Sequence, residues 1–173
     1  MLPSLTFVLG GAASGKSLVA ENIIYNSDLQ LVYVATSRIF DDEMQTKINT
    51  HIARRDARWT TISVEKDIPE VLVKLTNNQA VLIDCVTMWL TNIILDGDDV
   101  DLAQSNFLRA ITASSAPLVV VSNEVGQGIV PDNALSRQFR EAQGRLNIAL
   151  AARADRVIHV VAGLSHVLKG SNQ

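Results

Sequence analysis

Short apolar segments recur along the chain, and stretches with helical spacing of apolar residues separate them. These segments are rich in β-branched residues and lack polar alternation, which is typical of strands buried on both faces of a parallel sheet. The predicted strands cover residues 5–9, 31–35, 80–83, 118–121 and 157–161, with a weaker one at 59–64. The predicted helices cover residues 17–25, 41–53, 68–75, 88–95, 102–113 and 133–154. This alternation predicts an α/β fold with right-handed crossovers.

Composition and net charge favour some classes of protein over others. The 173 residues are 47% hydrophobic and 19% charged, and we expect them to form a single domain over residues 1–173. A net charge of −3 argues against a broad surface for nucleic acid. The one cysteine, Cys85, excludes an internal disulfide framework. With no basic leader and no apolar run of membrane-spanning length, we expect a cytoplasmic protein without a membrane span.

The segment GGAASGKS, residues 10–17, matches the phosphate-loop pattern Gly-x4-Gly-Lys-Ser. Glycines allow backbone N–H groups to turn toward phosphate oxygens, and the following helix directs its positive end at the anion. Lys16 can reach the outer phosphates, and the Ser17 hydroxyl can bind Mg²⁺. Because the motif follows a predicted strand and begins a predicted helix, we interpret it as a site for a nucleoside triphosphate.

A second candidate is Asp84, which ends the apolar segment AVLID at residues 80–84. In phosphate-loop proteins a carboxylate in this position lies near Mg²⁺. We therefore expect Ser17 and Asp84 to serve the metal. The neighbouring Cys85 has no visible partner, and we expect a core residue rather than a nucleophile.

The phosphate loop serves kinases, motor ATPases, GTPases and transferases alike. The guanine motif Asn-Lys-x-Asp of regulatory GTPases is absent, because the predicted strand 118–121 continues into SNEV. The size favours a small-metabolite kinase or a transferase. A plain kinase and a nucleotide-dependent binding module without chemistry both stay open at this point.

The predicted helix 41–53 carries a further candidate, His51. It lies at the border of an apolar stripe formed by Met44, Ile48 and Ile52, among the basic residues Lys47, Arg54, Arg55 and Arg58. Taken alone, an ordinary half-exposed histidine is the more common case. A neutral imidazole can also accept a phosphoryl or nucleotidyl group, and cationic neighbours would keep it unprotonated.

Several blocks together resemble the bifunctional adenosylcobinamide kinase / adenosylcobinamide-phosphate guanylyltransferase family of cobalamin biosynthesis. The blocks are GGAASGKS, YVATSRIFDDEM with His51 seven residues later, LIDCVTMWLTN, VVVSNEVGQGIVP and FREAQGRLNIALAARADRVIHVVAGL. They occur in the family's order over nearly the whole chain. The resemblance implies a RecA-like P-loop NTPase fold with three layers and a mostly parallel central sheet.

The resemblance also implies two reactions. ATP or GTP phosphorylates adenosylcobinamide, and GTP then donates GMP to adenosylcobinamide phosphate through a guanylylated histidine that matches His51. The product is adenosyl-GDP-cobinamide, with release of pyrophosphate. The family further implies a homotrimer. Three positions depart from the family pattern. Ala13 stands where many members have arginine, and Thr50 precedes His51 where members often have a second histidine. Asp84 stands where some members have glutamate, which is also a carboxylate and keeps the metal role.

These interpretations together predict the residues of the nucleotide and substrate site. His51 and Lys16 are the catalytic candidates, and Asn123 and Glu124 are the candidates for the cobinamide substrate because they directly follow a strand. Nucleotide binding is expected from the loop and from residues after other strands or near the basic cluster: Gly10, Gly11, Ala12, Ala13, Ser14, Gly15, Lys16, Ser17, Thr36, Ser37, Arg38, Arg54, Arg55, Glu65 and Asp84.

Overall fold

The structure is a computed structural model that describes residues 2–38 and 55–171. The predicted helix 41–53, which carries His51, therefore lies outside the described residues, as does Arg54. Over the described ranges the strands are β1 (Leu5–Gly10), β2 (Gln30–Ala35), β3 (Trp59–Ser63), β4 (Gln79–Asp84), β5 (Leu118–Asn123), β6 (Arg156–Val161) and β7 (Leu164–Lys169). The helices are α1 (Lys16–Tyr25), α2 (Ile68–Leu72), α3 (Val86–Leu95), α4 (Val100–Ala113) and α5 (Ala134–Arg153).

Within the described residues, seven strands form one sheet in the order β3-β2-β4-β5-β1-β6-β7. Neighbouring strands are parallel, except that β6 and β7 are antiparallel. The prediction of an α/β fold with a mostly parallel sheet is confirmed. The order places β5, which comes late in the chain, between β1 and β4. The strand that leads into the phosphate loop is thus one strand removed from the strand that ends in Asp84.

Buried side chains lie on both faces of the sheet, because successive strand residues point in opposite directions. Phe7, Val34 and Ile83 contribute to one core, which α2, α3, α4 and α5 cover. Val8 and Tyr33 contribute to the other core, which α1 covers. The described helices and the sheet therefore make three layers, as predicted. The larger core includes Trp89 on α3 and Phe107 on α4, whose ring centroids are 4.8 Å apart.

Strand β7 was not predicted from the sequence. It pairs with β6 through a two-residue turn in which Ala162 has φ 51° and Gly163 has φ 78°. Two positive φ values give the backbone twist that suits a tight hairpin, and Gly163 adopts such a value without strain. Nearly every residue of β7 is exposed, so the strand has no apolar pattern that would reveal it. Among the described helices, none combines the length and apolar character of a membrane-spanning segment.

Candidate functional site

The sheet order brings the predicted site residues to one edge. Gly10, the last residue of β1, pairs with Asn123 on β5 and with Val160 on β6. Asp84, at the end of β4, pairs with Val121 on β5 and with Ala35 on β2. The carboxyl ends of these strands are where ligands bind in open α/β sheets. The phosphate loop, Asp84, Asn123 and the segment that begins at Thr36 therefore share one rim.

The phosphate loop is packed against the turn between β6 and β7. Ser14 donates its backbone N–H to the Gly11 carbonyl oxygen at 3.3 Å, and Gly163 donates its own N–H to the Ser14 carbonyl oxygen at 2.8 Å. A Cβ on Gly10 would lie 2.5 Å from the Ser14 hydroxyl oxygen and 2.6 Å from the Val160 carbonyl oxygen. Close packing therefore requires glycine at position 10.

Two residues of the loop have left-handed backbone. Gly15 has φ 91° and directly precedes α1, whereas Ala13 has φ 55° and carries a Cβ. This conformation costs roughly 1–2 kcal/mol for an L-residue other than glycine. Ala12 and Ala13 are both exposed on the loop. The loop thus holds a strained residue at the position where the family pattern often has arginine.

Lys16 lies beneath the loop and is 9% exposed. Its Nζ donates a hydrogen bond to the Gly11 carbonyl oxygen at 3.0 Å. Burial lowers the pKa of Lys16, and the negative charge of Asp84 partly opposes this effect. The ammonium group is bound by a carbonyl oxygen of the loop, which phosphate oxygens can replace. Ser17, the next residue, is half-buried in the first turn of α1.

Asp84 is held by a tyrosine on the neighbouring strand. The Tyr33 hydroxyl donates a hydrogen bond to Asp84 Oδ2 at 3.1 Å. The Arg55 guanidinium carbon lies 3.4 Å from the centroid of the Tyr33 ring, and Arg55 Nη1 donates to Thr61 Oγ1 at 3.1 Å. Arg55, an expected nucleotide contact, is therefore stacked on the ring that binds the candidate metal ligand. The sequence reading did not identify Tyr33, which looks like any other core residue of β2.

Thr36 and Cys85 join the ends of β2 and β4. Thr36 Oγ1 donates to the Cys85 carbonyl oxygen at 2.7 Å and accepts from the Cys85 backbone N–H at 3.1 Å. Burial raises the pKa of the Cys85 thiol to about 11, and the Asp84 carboxylate adds to this effect. The thiol is thus protonated at neutral pH, and only a thiolate is a good nucleophile. This agrees with the prediction that Cys85 has no nucleophilic role.

Hydrogen bonds hold the backbone of Asn123 and of the residue that follows it. The Asn123 backbone N–H donates to Thr87 Oγ1 at 2.8 Å, and the Asn123 carbonyl oxygen accepts from Asn147 Nδ2 at 3.2 Å. The next residue, Glu124, donates its backbone N–H to the Gly10 carbonyl oxygen at 3.0 Å. The side-chain Oδ1 of Asn123 is buried and has no hydrogen-bond partner among the described residues. The structure therefore fixes Asn123 beside the phosphate loop.

The Glu124 carboxylate binds the backbone of the loop that follows β5. Its Oε1 accepts the backbone N–H of Gly126 at 2.5 Å. Farther along the loop, Ile129 is 96% exposed and Val130 is 67% exposed. The Glu124 side chain thus stabilises the turn that follows β5.

Arg38 and Glu65 contact each other rather than the phosphate loop. Arg38 Nε donates to Glu65 Oε2 at 2.5 Å, and Arg38 Nη1 and Nη2 donate to Asp96 Oδ1 and Oδ2 at 2.6 and 2.7 Å. Lys66 Nζ lies 2.7 Å from Asp96 Oδ2 and 2.9 Å from Asp98 Oδ2. These residues form an ion-pair network beside the site. Ser37 lies half-buried between Thr36 and this network.

The donor chemistry fits Mg²⁺. Ser17 and Asp84 offer hydroxyl and carboxylate oxygens, the ligands that Mg²⁺ prefers. In residues 2–38 and 55–171, no group of three or more histidine, cysteine, aspartate or glutamate side chains could hold a metal ion. A metal that relies on one or two protein oxygens takes its remaining ligands from water and from phosphate. The residues present therefore suit an ion that arrives with the nucleotide.

Comparisons with known proteins identify the family of the chain. The model of the cobinamide kinase / cobinamide phosphate guanyltransferase family matches residues 6–168. The chain is 39% identical over 166 residues to the bifunctional adenosylcobalamin biosynthesis protein CobP of Pseudomonas aeruginosa, covering 94% of this chain and 96% of that protein. It is 38% identical over 181 residues to the bifunctional adenosylcobalamin biosynthesis protein CobU of Escherichia coli, covering 95% and 99% of the two chains.

Solved structures resemble the fold. An ATPase of the type III secretion system of pathogenic bacteria has a TM-score of 0.61 at 12% identity, covering 95% of this chain and 57% of that chain. The flagellar accessory protein FlaH of Methanocaldococcus jannaschii has a TM-score of 0.51 at 16% identity, covering 100% and 84%. At this level of identity the likeness concerns architecture alone. It supports the predicted α/β architecture with a mostly parallel central sheet.

Proposed function

The chain belongs to the cobinamide kinase / cobinamide phosphate guanyltransferase family, and from this premise we propose that one domain, residues 1–173, carries out both reactions on adenosylcobinamide. The observation that supports the proposal most directly is the phosphate loop at the carboxyl edge of the sheet. There the buried Lys16 donates a hydrogen bond to the loop, and Asp84 ends the strand β4 at the same edge. A loop, a buried cation and a carboxylate are the parts that a site for a nucleoside triphosphate and Mg²⁺ requires.

In the kinase step, the substrate's hydroxyl attacks the γ-phosphorus of ATP or GTP. A P–O bond forms to the substrate, its hydroxyl proton passes to solvent, and the bond from the γ-phosphorus to the bridging oxygen breaks, releasing the nucleoside diphosphate. Backbone N–H groups of the loop and Lys16 bind the phosphate oxygens and stabilise their charge. When bound, Mg²⁺ neutralises phosphate charge, and Ser17 and Asp84 would hold it.

In the guanylyl transfer, a His51 ring nitrogen attacks the α-phosphorus of GTP. A P–N bond forms, the α–β P–O bond breaks, and pyrophosphate leaves. A phosphate oxygen of adenosylcobinamide phosphate then attacks the same phosphorus, so that the P–N bond breaks and the histidine is regenerated. Covalent catalysis of this kind divides one difficult displacement into two. His51 and Arg54 lie outside the described residues. The role of His51 rests on the resemblance, and a phosphate contact by Arg54 rests on its positive charge.

The remaining expected residues take secondary roles in this proposal. Arg55 stacks on the ring of Tyr33, whose hydroxyl binds Asp84. Arg55 would contribute positive charge at the triphosphate. Thr36 and Ser37 would line the same rim, and Arg38 and Glu65 would frame it through their ion pair. Asn123 and Glu124 would face the corrinoid substrate. Assembly as a homotrimer and a cytoplasmic location belong to the same proposal and rest on the sequence and its resemblance.

The test is transfer of label from GTP to the protein. Incubation with Mg²⁺ and GTP labelled at the α-phosphorus should give an acid-labile, base-stable adduct in the wild type and none in His51→Asn. The matched control is His166→Asn, because His166 is exposed on β7, away from the rim. The control should label like the wild type.

The alternative outcomes separate the candidate functions. A wild type without α-label, or a labelled His51→Asn, would disprove the nucleophile. Transfer of γ-label to cobinamide without any α-label would indicate a plain small-metabolite kinase. Nucleotide binding without transfer of either label would indicate a binding module.

A further inference from the structure

Tyr33 connects the candidate metal ligand to an arginine stack. Its hydroxyl donates to Asp84 Oδ2 at 3.1 Å, and the Arg55 guanidinium covers its ring at 3.4 Å from the centroid. Trp59 packs against the same ring in an edge arrangement, with centroids 6.4 Å apart. The tyrosine is 6% exposed. The ring is therefore held from two sides, and its hydroxyl has a fixed place at the end of β4.

A second tyrosine has the same type of partners in a different setting. The Tyr25 hydroxyl donates to Asp56 Oδ2 at 3.1 Å, and the Arg58 guanidinium lies 3.7 Å from the Tyr25 ring centroid. Tyr25 ends α1 and is 45% exposed. Asp56 also accepts hydrogen bonds from Arg58. This cluster reproduces the chemistry of the Tyr33 cluster on the surface, away from Asp84.

The Tyr25 and Tyr33 hydroxyls bind carboxylates in different surroundings, so removal of each hydroxyl should have a different effect. An exposed carboxylate such as Asp56 exchanges its partners with water, and such contacts contribute little. Asp84 lies at the carboxyl end of β4, on the ligand edge of the sheet. A carboxylate that binds a metal is usually oriented by an outer hydrogen bond, and loss of that bond weakens the metal site.

Tyr33 acts toward Asp84 as a hydrogen-bond donor. Its hydroxyl lies 3.1 Å from Asp84 Oδ2, and its ring is held by Arg55 and Trp59. A phenol hydroxyl can donate one hydrogen bond, which restricts rotation of the Asp84 carboxylate.

We propose that Tyr33 is a positioning residue for metal binding: its hydroxyl holds the Asp84 carboxylate in the orientation that meets the Mg²⁺ of the bound nucleoside triphosphate, and Arg55 keeps the ring in place. This inference rests on the metal role of Asp84 in the proposed function. It assigns to Tyr33 a role in the nucleotide site. The sequence pattern alone indicates only a buried residue of a strand at this position. Tyr33 acts through Asp84 and does not itself contact the nucleotide.

The experiment measures Mn²⁺ affinity by electron paramagnetic resonance, with GDP bound and without turnover. Tyr33→Phe keeps the ring and removes the hydroxyl, and we expect about tenfold weaker Mn²⁺ binding. Tyr25→Phe is the matched control, because it removes a hydroxyl that also binds an aspartate but lies outside the site. The Mn²⁺ affinity of this control should equal that of the wild type. Asp84→Asn should weaken Mn²⁺ binding at least as much as Tyr33→Phe.

Two further measurements distinguish positioning from a general defect. In EDTA, GDP affinity of Tyr33→Phe should match that of the wild type, because a positioning role acts only through the metal. Adding Tyr33→Phe to Asp84→Asn should cause no further loss of Mn²⁺ affinity, because the hydroxyl has then lost its charged acceptor. Equal Mn²⁺ affinity in Tyr33→Phe and wild type would overturn the proposal. So would equal losses with and without metal, an additive double variant, or an Asp84→Asn variant that binds Mn²⁺ normally.

The outcome is independent of guanylyl transfer. Labelling at His51 together with unchanged Mn²⁺ affinity in Tyr33→Phe would leave the proposed function intact and remove this inference. Absence of labelling, together with a tenfold loss of Mn²⁺ affinity in Tyr33→Phe and Asp84→Asn that Tyr25→Phe does not share, would do the reverse. Binding without turnover thus separates the two.

Discussion

At the scale of single residues, packing decides what the phosphate loop tolerates. Gly10 and Gly11 are adjacent, yet a Cβ on Gly10 would meet two atoms at 2.5 and 2.6 Å, whereas a Cβ on Gly11 would meet nothing within 4 Å. One of the contacted atoms belongs to the backbone of β6, which cannot move away as a flexible side chain can. The motif requires glycine at position 10 and leaves position 11 variable, and the three-dimensional packing gives the physical reason for this difference.

We predict that Gly10→Ala lowers the free energy of unfolding by about 1–3 kcal/mol, as expected for an overpacked site. The loss should accompany weaker GDP binding, because Ser14 must move within the loop. Urea unfolding and GDP titration measure the two effects. Gly11→Ala is the control for stability and should stay within about 0.5 kcal/mol of the wild type. Equal stability of the two variants would contradict the packing argument.

At the scale of elements, the site depends on how strand and helix ends are tied together. The Arg38 side chain, just after β2, binds Asp96 at the end of α3, and Lys66, just after β3, binds the same carboxylate. Asn92 on α3 adds buried hydrogen bonds from its Nδ2 to the carbonyl oxygens of Thr36 and Glu65, at 2.8 and 3.0 Å. The sequence identified Arg38 and Glu65 as site candidates but gave no sign of this network, since Arg38 and Asp96 are 58 residues apart.

The network should make stability depend on pH. Hydrogen bonds from Arg38, and then from Lys66, lower the pKa of Asp96 below its usual range. A carboxyl group with a depressed folded pKa stabilises the fold above its unfolded pKa of about 3.9, and this contribution is lost as the pH falls through the folded value. We therefore predict that Asp96→Asn is less stable than the wild type at pH 7 and loses less stability between about pH 4 and pH 2.

Urea unfolding at a series of pH values measures this difference. Asp28→Asn is the control, because Asp28 is an exposed residue between α1 and β2 and lies outside the network. The control should follow the wild-type pH dependence. The same pH slope in Asp96→Asn and wild type would show that the ion pairs contribute nothing in solution.

At the scale of the whole molecule, the order of the strands assembles the site. Placing β5 between β1 and β4 brings Asn123 to the rim beside Gly10, where Thr87 on α3 and Asn147 on α5 secure its backbone. The central strands β1, β4 and β5 are buried on both faces, and β7 is an exposed edge strand. Stability should therefore be unevenly distributed across the sheet.

Hydrogen exchange followed by mass spectrometry tests this distribution. Amides of β1, β4 and β5 should exchange only through global unfolding, whereas those of β7 should exchange faster by orders of magnitude, through local opening of the edge. Peptides from β7 that are as protected as those from β5 would contradict the prediction.

The amino-acid sequence by itself determined the α/β class, the buried strands and the phosphate loop, because apolar periodicity and a contiguous motif are local properties of the chain. It also placed Asp84 and Asn123 at strand ends. Tertiary structure alone decided which strand ends meet, because that depends on strand order. The Tyr33–Asp84 and Asn123–Thr87 contacts join residues 51 and 36 positions apart, and no local pattern encodes such distances. Strand β7 likewise became visible only through pairing with β6, because an exposed edge strand needs no apolar face.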